Sequence, residues 1–330
     1  MFFSKLSIAL FLSCFTLSVS AATYTLVPNF FNFDGDNVSQ VTAASVSGSY
    51  VTIAQRDDAF PFFYVFSTST IGGKPIRTWG NTTILDSPHG MHDDRSIPTD
   101  VWICDIAGNV VILFDSLSGE RKAVIGTGKK GNSIEPLEFS AIADVATLPN
   151  GALIFSDGDG GSNSRVSRVD INSSSPSGYS TSWVIGGNGT NVGQFQSPHS
   201  VAFQYSNNIA WIADRGNNRL QALDSDTGKV LGVWNNECFN NGEPWGVRVD
   251  EQRHVLIVAD GLYGNVYILN LDDAGPKGSF GKCSSSTLLQ TLVVGVALKP
   301  HELAIDYSTG DFYLANVGTP PSAQKYSYNP

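Results

Sequence analysis

Three of the five histidines in this chain directly follow a proline, and the Pro-His pairs are 110 and 102 residues apart. They are His89 in "SPHGM", His199 in "SPHSV" and His301 in "KPHEL". Imidazole nitrogens are ligands for Zn, Cu, Fe and Ni, and three of them with an open fourth position are typical of a catalytic zinc site. If the fold brings these side chains together, they can bind a metal, and zinc is the metal we expect.

Short apolar runs that end in a polar residue recur along the chain and define a structural unit. The runs "DVWICD", "ALIFSD", "IAWIAD", "VLIVAD" and "DFYLAN" end at Asp105, Asp157, Asp214, Asp260 and Asn316. Further strand-like segments and Gly/Asn/Asp turns flank each run, so that one unit holds four strands in about fifty residues. Five such units, and a less regular first one around "SYVTIAQRDD", predict an all-β fold. We expect a six-bladed β-propeller with four-stranded blades around a central channel, over residues 22–330.

The three histidines hold the same position in alternate units. Each lies 15 or 16 residues before the polar residue that ends the next apolar run, at the start of the innermost strand. Blades two, four and six are about 120° apart around the axis, so the imidazoles would meet from three sides of the channel. Ala143 or its neighbour and Trp245 hold the matching positions in intervening blades. His92 and His254 lie elsewhere in the repeat, and we expect them to be structural or exposed.

The acids that end the apolar runs have a structural explanation. A carboxylate at a strand end can accept backbone N–H groups from the turn that follows. We expect this role for Asp105, Asp157, Asp214 and Asp260.

The first 21 residues are typical of a secretory signal peptide. Lys5 precedes an apolar run that ends at Leu17, and small residues lead to an expected cleavage after Ala21. We therefore expect a secreted protein, in the extracellular space or the lumen of the secretory pathway. No later stretch is apolar for long enough to suggest a membrane span, and we expect a soluble mature chain.

Net charge and sequence motifs indicate which classes of binding partner the protein can have. The net charge is −10 and no Lys/Arg cluster occurs, which argues against nucleic acid and anionic membranes as partners. In a secreted chain, Asn-x-Ser/Thr sequons predict glycosylated surface loops. The sequons are at Asn37, Asn81, Asn172 and Asn188.

The cysteines outside the signal peptide fall into two kinds. Cys104 lies in an apolar strand-like run, and we expect a buried thiol there. Cys238 and Cys283 lie in loop-like sequence, and an oxidising compartment could join them in a disulfide, although both could also be free.

The Pro-His phrases, with "FQSPHSVAF" and "IADRGNNRLQALDSDTGKV", resemble peptidyl-α-hydroxyglycine α-amidating lyase. This family is the lyase half of the peptide C-terminal amidating system and is related to the NHL-repeat propellers. The resemblance covers nearly all of the chain after the signal peptide and is densest from Gln194 to Val230. It implies an NHL-like propeller with a catalytic zinc on His89, His199 and His301.

The same resemblance implies two further ligand-binding groups. Arg56 in "VTIAQRDD" matches the family's arginine that binds the substrate carboxylate. Glu302 and the main-chain carbonyl of Met91 match ligands of a structural calcium, with Glu302 in place of the family's usual aspartate.

Two features depart from that family. The family has a catalytic tyrosine in a loop of the third blade, whereas this chain reads "DGDGGSNSR" from Asp157 to Arg165. The family's paired cysteines are also missing. Asp159 stands closest to the place of the missing tyrosine, and Tyr263 in "DGLYGN" of the fifth blade offers another phenol.

The reaction implied by the resemblance is the cleavage of a peptidyl-α-hydroxyglycine to a peptide amide and glyoxylate. Zinc would lower the pKa of the substrate hydroxyl, and Asp159 or Tyr263 would take its proton. Arg56 would hold the substrate carboxylate through a bidentate contact. No copper monooxygenase module is recognisable in the sequence, so a separate peptidylglycine monooxygenase would supply the hydroxylated peptide.

Two other functions remain open from the sequence. A non-catalytic secreted NHL propeller that binds protein or glycan partners through its top face is favoured by the missing tyrosine and cysteines. A metal-dependent hydrolase of the lactonase propeller type is less favoured, because such propellers surround their ion with Asn, Asp and Glu. Zinc content would separate the enzyme from the binding protein, and glyoxylate release from α-hydroxyhippurate would separate the lyase from other zinc enzymes.

Overall fold

The computed structural model describes most of the chain beyond the predicted signal peptide. It covers residues 23–56, 61–94, 97, 99–172, 174–175, 178–234, 236–239, 241–274, 284 and 286–330. The signal peptide prediction and Cys283 lie outside the described residues. Within those ranges, none of the helices has the length and apolar character needed to cross a bilayer.

The first three blades each use four strands that follow one another in the chain. Blade 1 holds β2 (Gln40–Ser47), β3 (Tyr50–Arg56), β4 (Phe63–Ser67) and β5 (Arg77–Trp79). Blade 2 holds β6 (Pro88–Asp93), β7 (Asp100–Asp105), β8 (Val110–Asp115) and β9 (Arg121–Ile125). Blade 3 holds β10 (Ile142–Thr147), β11 (Leu153–Asp157), β12 (Arg165–Ile171) and β13 (Tyr179–Gly186).

The next two blades repeat this order, and the sixth borrows a strand from the start of the described chain. Blade 4 holds β14 (Pro198–Gln204), β15 (Ile209–Asp214), β16 (Arg219–Asp224) and β17 (Val230–Trp234). Blade 5 holds β18 (Pro244–Asp250), β19 (Val255–Asp260), β20 (Asn265–Asn270) and β21 (Leu288–Val293), with α1 (Leu271–Ala274) between its last two strands. Blade 6 holds β22 (Pro300–Ile305), β23 (Phe312–Asn316), β24 (Ser322–Asn329) and β1 (Thr23–Val27).

The ring closes because β1 forms the outermost strand of blade 6. It pairs antiparallel with β24, and Tyr24 lies opposite Tyr328. The innermost strands β2, β6, β10, β14, β18 and β22 pack in sequence around the axis, and β22 contacts β2. Closing the ring leaves no innermost strand without a neighbour, so no blade has an open inner face.

Each blade buries both faces, which explains why its middle strands are continuously apolar. Successive side chains of a strand point to opposite faces of the sheet. In β15, Trp211 packs in the cluster between blades 4 and 5, whereas Ile212 packs in the cluster between blades 3 and 4. Among the described residues, one hydrophobic cluster lies between every pair of neighbouring blades.

The predicted six-bladed propeller is confirmed by this architecture. The first blade, expected to be irregular, is a complete four-stranded sheet, although its outer strand β5 has only three residues.

Candidate metal centre

Every innermost strand carries a β-bulge near its start. The strand register shifts between residues 41 and 43, 88 and 91, 142 and 144, 198 and 200, 244 and 246, and 300 and 303. A bulge leaves one residue unpaired and turns its side chain away from the regular pleat. In blades 2, 4 and 6 the bulges include His89, His199 and His301.

The three histidines meet at the propeller axis, as the repeat position predicts. Their ring centroids are 4.9 Å apart for His89 and His199, 4.8 Å for His89 and His301, and 4.7 Å for His199 and His301. One nitrogen from each ring lies within 4.8 Å of the other two, and all three side chains are buried. Three buried imidazoles on one axis could bind a metal ion.

The Nδ1 atom of each histidine is held by the neighbouring blade. His89, His199 and His301 place Nδ1 at 2.8, 2.7 and 2.6 Å from the main-chain oxygens of Ala143, Trp245 and Thr42. A carbonyl oxygen only accepts, so Nδ1 carries the proton and donates it, which leaves the Nε2 lone pair free. Such outer contacts are typical of metal-binding histidines, because they fix both the tautomer and the ring orientation.

Burial keeps these imidazoles neutral at neutral pH. It lowers the pKa of His89 to about 4, with Arg56 adding to the shift, and it lowers the pKa of His199 to about 4. The pKa of His301 falls well below its usual value, again because of burial and then because of its two neighbouring histidines. Neutral imidazole is the form that binds metals, so no proton has to be removed first.

Asp159 brings a carboxylate to two of the three rings. Its Oδ2 atom lies 3.1 Å from His89 Nε2 and 3.8 Å from His199 Nε2. With the protons on Nδ1, a carboxylate oxygen faces nitrogen lone pairs, and acceptors at this distance repel unless a cation lies between them. His199 Nε2 is buried without a hydrogen-bond partner among the described residues. Three neutral imidazole nitrogens are a donor set that fits zinc, and the Asp159 carboxylate lies next to two of them.

Arg215 holds Asp159 in place, a contact that the sequence analysis missed. Arg215 Nη1 lies 2.8 Å from Asp159 Oδ1, and its Nε lies 3.4 Å from Glu243 Oε2. The guanidinium carbon lies 4.2 Å from the ring centre of Trp245, whose Nε1–H donates to Glu243 at 2.9 Å. Burial acts to raise the pKa of Asp159, but the pKa lies below its usual range, and the positive charge of Arg215 is one of the causes that lower it.

The sequence contains a feature that could have identified Arg215 as a functional residue. It directly follows the strand-end Asp214, where the equivalent positions in blades 2, 3 and 5 hold Ile106, Gly158 and Gly261. A single arginine among apolar and small residues at one repeat position indicates a local function.

Arg56 brings a positive charge beside the histidines. It ends β3, and its Nε donates to the carbonyl of Pro88 at 3.3 Å. Among the described residues, no carboxylate lies within ion-pairing distance of it. Burial lowers the pKa of Arg56, whereas Asp159 acts to raise it. A partly buried guanidinium that forms no ion pair within the described part of the chain is a good receptor for a carboxylate ligand.

Tyr263, the other candidate base, lies apart from this centre. It follows β19, its backbone N–H donates to Asp260 at 3.1 Å, and the residue is 46% exposed. Its side chain makes no hydrogen bond or ring contact to the three histidines within the described chain. The structure thus brings Asp159 to the histidines and leaves Tyr263 away from them, and the catalytic role of each stays a prediction.

The two expected calcium ligands both contact an arginine. Arg248 Nη2 donates to the Met91 carbonyl at 3.2 Å, and Arg248 Nη1 lies 3.4 Å from Glu302 Oε2. Nη1 also lies 3.0 Å from Asp144 Oδ2. A calcium ion needs 6–8 oxygen ligands at about 2.3–2.6 Å, and a guanidinium among the same oxygens excludes it by space and by charge. As they stand, these residues do not fit calcium.

Burial dominates the charge state of Glu302. It raises the pKa of Glu302 well above the usual value, and Asp144 adds to the shift, while Arg248 and Ser200 oppose it. Glu302 Oε1 also lies 3.5 Å from His199 Nδ1, so this carboxyl group connects the arginine to the histidine layer.

The prediction that the strand-end acids accept N–H groups of the following turn is confirmed for Asp105 and Asp260. Among the described residues, Asp157 and Asp214 instead accept backbone N–H groups only from the segments that lead to the innermost strands. Asp105 accepts the N–H groups of Asp86 and Ser87 at 2.7 and 2.9 Å, and that of Gly108 at 2.9 Å. Asp214 accepts the N–H of Gln196 at 2.8 Å, two residues before Pro198. These acids therefore fix the start of the strands that carry the histidines.

The remaining histidines and cysteines also have defined positions. His92 is buried, and its Nδ1 lies 2.9 Å from the Asp93 carbonyl, whereas His254 is exposed beside Asp272. Cys104 is a buried free thiol, as expected. Cys238 is disulfide-bonded, and its pairing with Cys283 stays a prediction.

A polar cleft opens beside Asp159 and Arg215 between blades 3 and 4. It has a volume of about 330 Å³. Its lining includes Gly158, Gly161, Ser162, Ser164, Gln196 and Gly216. Asn188, one of the exposed sequon asparagines, lines the same cleft. The cleft is polar and open to solvent, and its lining includes Gly158 and Gly216, the direct sequence neighbours of Asp159 and Arg215.

Fold and site together define the class: a six-bladed NHL-repeat β-propeller with a candidate metal centre in its channel. No family model matches the chain. Over 292 residues it is 36% identical to NHL repeat-containing protein 3 of Homo sapiens and 37% identical to that of Mus musculus. Each match covers 87% of this chain and 78% of the relative. The chain belongs to the NHL repeat-containing protein 3 family.

The chain is also similar to part of a second group of proteins. It is 34% identical over 149 residues to peptidyl-glycine alpha-amidating monooxygenase of Mus musculus. The matched region covers 42% of this chain and 14% of that protein. It is 26% identical over 251 residues to peptidyl-glycine alpha-amidating monooxygenase B of Xenopus laevis. This match covers 74% of this chain and 26% of that protein. These matches agree with the resemblance that the Pro-His phrases carry.

Proposed function

We propose that this protein is a zinc-dependent carbon–nitrogen lyase that cleaves a peptidyl-α-hydroxyglycine into a peptide amide and glyoxylate. The observation that carries the proposal is the threefold set of buried imidazoles, each with Nδ1 donating to a main-chain carbonyl, which leaves the Nε2 lone pair for a metal. The position of Arg56 beside the histidines, held by the Pro88 carbonyl, and the partial similarity to amidating enzymes support the choice of substrate.

The chain's own residues have separate roles in this reaction. A zinc ion on His89, His199 and His301 would supply Lewis acidity at the substrate hydroxyl oxygen. Arg56 binds the carboxylate of the hydroxyglycine and so orients the reacting carbon. Asp159 accepts the hydroxyl proton, the carbon–oxygen double bond of glyoxylate forms as the C–N bond breaks, and the proton passes to the amide nitrogen.

The ion pair with Arg215 limits what Asp159 can do alone. A carboxylate with a lowered pKa is a weak base, so it can take the proton only from a hydroxyl whose own pKa has been lowered. Arg215 is in our proposal a positioning residue, because it holds Asp159 against His89 and stacks on Trp245.

The setting of the reaction belongs to the same proposal. The peptide part of the substrate would lie in the polar cleft between blades 3 and 4. The predicted signal peptide supports a reaction in the secretory pathway or outside the cell. A separate monooxygenase would supply the hydroxylated peptide.

The test is glyoxylate release from α-hydroxyhippurate by the purified, zinc-loaded protein. We expect turnover that is lost in His199→Asn and kept in His254→Ala, whose histidine is exposed and off the axis. Arg56→Ala should raise KM by about 10- to 100-fold, because a charged hydrogen bond is worth about 1.5–3 kcal/mol. The methyl ester of the substrate, which lacks the carboxylate charge, should not distinguish Arg56→Ala from the native chain.

A protein that binds one zinc ion and releases no glyoxylate would contradict the lyase proposal. That outcome would favour a second candidate, a non-catalytic propeller that binds partners on the face around the cleft. The held position of Asp159 and the missing tyrosine in the Asp157–Arg165 loop favour this alternative. The zinc content of the protein would then report a structural metal.

A further inference from the structure

A second layer of polar groups, four side chains and the main-chain carbonyl of Met91, lies directly behind the histidines in the propeller channel. Each member belongs to the innermost strand of a different blade and lies one to three residues beyond the bulge position. The layer consists of Met91, Asp144, Ser200, Arg248 and Glu302 from blades 2 to 6. The side chains of Asp144 and Glu302 are fully buried, and that of Arg248 is 4% exposed.

The guanidinium of Arg248 is the centre of this layer. It contacts Asp144 at 3.0 Å, Glu302 at 3.4 Å and the Met91 carbonyl at 3.2 Å. Its Nη1 also lies 3.0 Å from Ser200 Oγ. Two carboxylates, a hydroxyl and a carbonyl that converge from four blades are oxygen ligands of the kind that a divalent cation binds, yet an arginine side chain lies among them.

We propose that Arg248 is a built-in replacement for a structural divalent cation, so that the propeller channel needs no second metal ion. The physical reason is that buried acidic side chains from opposite sides of the channel, in blades 3 and 6, require a positive charge between them, and a guanidinium with five N–H donors can supply it. Because Arg248 belongs to the chain, this cation cannot dissociate or be removed by a chelator. The proposal does not depend on the lyase reaction, since it concerns only the stability of the ring.

The first test uses the native protein, purified and desalted into calcium-free buffer. We expect no bound calcium by elemental analysis, and a melting temperature that changes by less than about 1 °C when millimolar CaCl₂ is added. One bound calcium per chain, or a melting temperature several degrees higher with calcium, would overturn the proposal. This measurement stands whether or not any variant folds.

The second test is Arg248→Ala, which empties the centre of the layer and leaves its oxygens in place. We expect a lower melting temperature that rises by roughly 5 °C with saturating CaCl₂ but much less with MgCl₂, since magnesium demands stricter octahedral geometry. Adding Glu302→Gln should abolish the calcium response. A folded Arg248→Ala protein that ignores calcium would overturn the claim that the guanidinium occupies a cation site.

Two matched controls separate this effect from general stabilisation by calcium. Arg253→Ala removes another mostly buried arginine, one that pairs with Asp250 away from this layer, and it should give no calcium response. Arg248→Lys keeps a positive charge among the same carboxylates, and it should also ignore calcium. A calcium response in either control would contradict the assignment.

Discussion

Replacing His199 by asparagine separates the two functions of that side chain. His199 Nδ1 donates to the Trp245 carbonyl at 2.7 Å, and its buried Nε2 faces the other two imidazoles. The amide nitrogen of asparagine stands close to the position of Nδ1. His199→Asn can therefore keep the donor to Trp245 while it removes the ligand atom, whereas His199→Ala removes both.

The expected magnitude follows from these contacts. The binding free energy of zinc on four protein ligands in small domains is about 10–16 kcal/mol, which is about 3–4 kcal/mol per ligand. Loss of one ligand should therefore raise the Kd for zinc by about 10²- to 10³-fold. His199→Ala also leaves the carbonyl of Trp245 without its donor, which costs about 1–3 kcal/mol in stability. The two variants should thus bind zinc equally poorly and differ in stability.

The assay compares the native chain with His199→Asn, His199→Ala and His254→Ala. Zinc content is measured after dialysis, Kd by competition with a coloured chelator, and the melting temperature without metal. We expect one zinc ion per native chain and per His254→Ala chain. Without metal, His199→Asn should melt within about 2 °C of the native chain, and His199→Ala clearly lower.

One result would refute the reasoning. If His199→Asn binds zinc with native affinity, the Nε2 atom of His199 is not a ligand and the axial site fails. A fall in zinc affinity in His254→Ala as large as in His199→Asn would show that the assay reports something other than the channel.

Three further predictions concern the frame around the site. Gly90→Ala should lower stability by about 1–3 kcal/mol and should also weaken zinc binding, because an added Cβ would lie 2.3 Å from the Ala143 carbonyl beside His89. The control is Gly151→Ala, where φ is 81° and the space is open; it should cost only about 1 kcal/mol and leave zinc binding unchanged. Asp214→Ala should destabilise the chain by about 3–5 kcal/mol in chemical denaturation, because it leaves the buried Arg219 without its partner at 2.7 Å, whereas the exposed Asp272→Ala should cost less than about 0.5 kcal/mol. Burial raises the pKa of Tyr267 and of Tyr326 to about 12, so the folded chain keeps protons that the unfolded chain loses from about pH 10. Stability should therefore fall as the pH rises from 10 to 12, which melting curves and phenolate absorbance can measure; a melting temperature that stays constant over this pH range would contradict the prediction.

Much of the candidate site could be predicted from repeat position alone. His89, His199 and His301 occupy the same position in alternate blades. In a closed ring, side chains at that position approach the axis from three sides and meet there. Arg56 and Asp159 were proposed by resemblance to a known family, and both lie beside the histidines. Tyr263 was proposed only as another phenol, and among the described residues its largely exposed side chain makes no hydrogen bond or ring contact with them.

The buried charge layer could not be predicted in the same way, although its members were visible. Arg248 lies within the apolar run "PWGVRVD", and Asp144 and Glu302 lie in equally apolar runs. Each position alone suggests an isolated polar residue in a strand. Only the stacking of blades shows that one arginine pairs with carboxylates 104 and 54 residues away in sequence.

Sequence by itself determined the blade number, the all-β class and the axial position of the histidines, because these depend on periodicity, and a periodic pattern is local information. Tertiary structure alone decided what fills the channel: the carbonyls that bind Nδ1, the arginine that holds Asp159, and the cation that replaces calcium. Those contacts join residues from different blades at distances of a few ångströms, and their energies depend on burial, which exists only once the ring has closed.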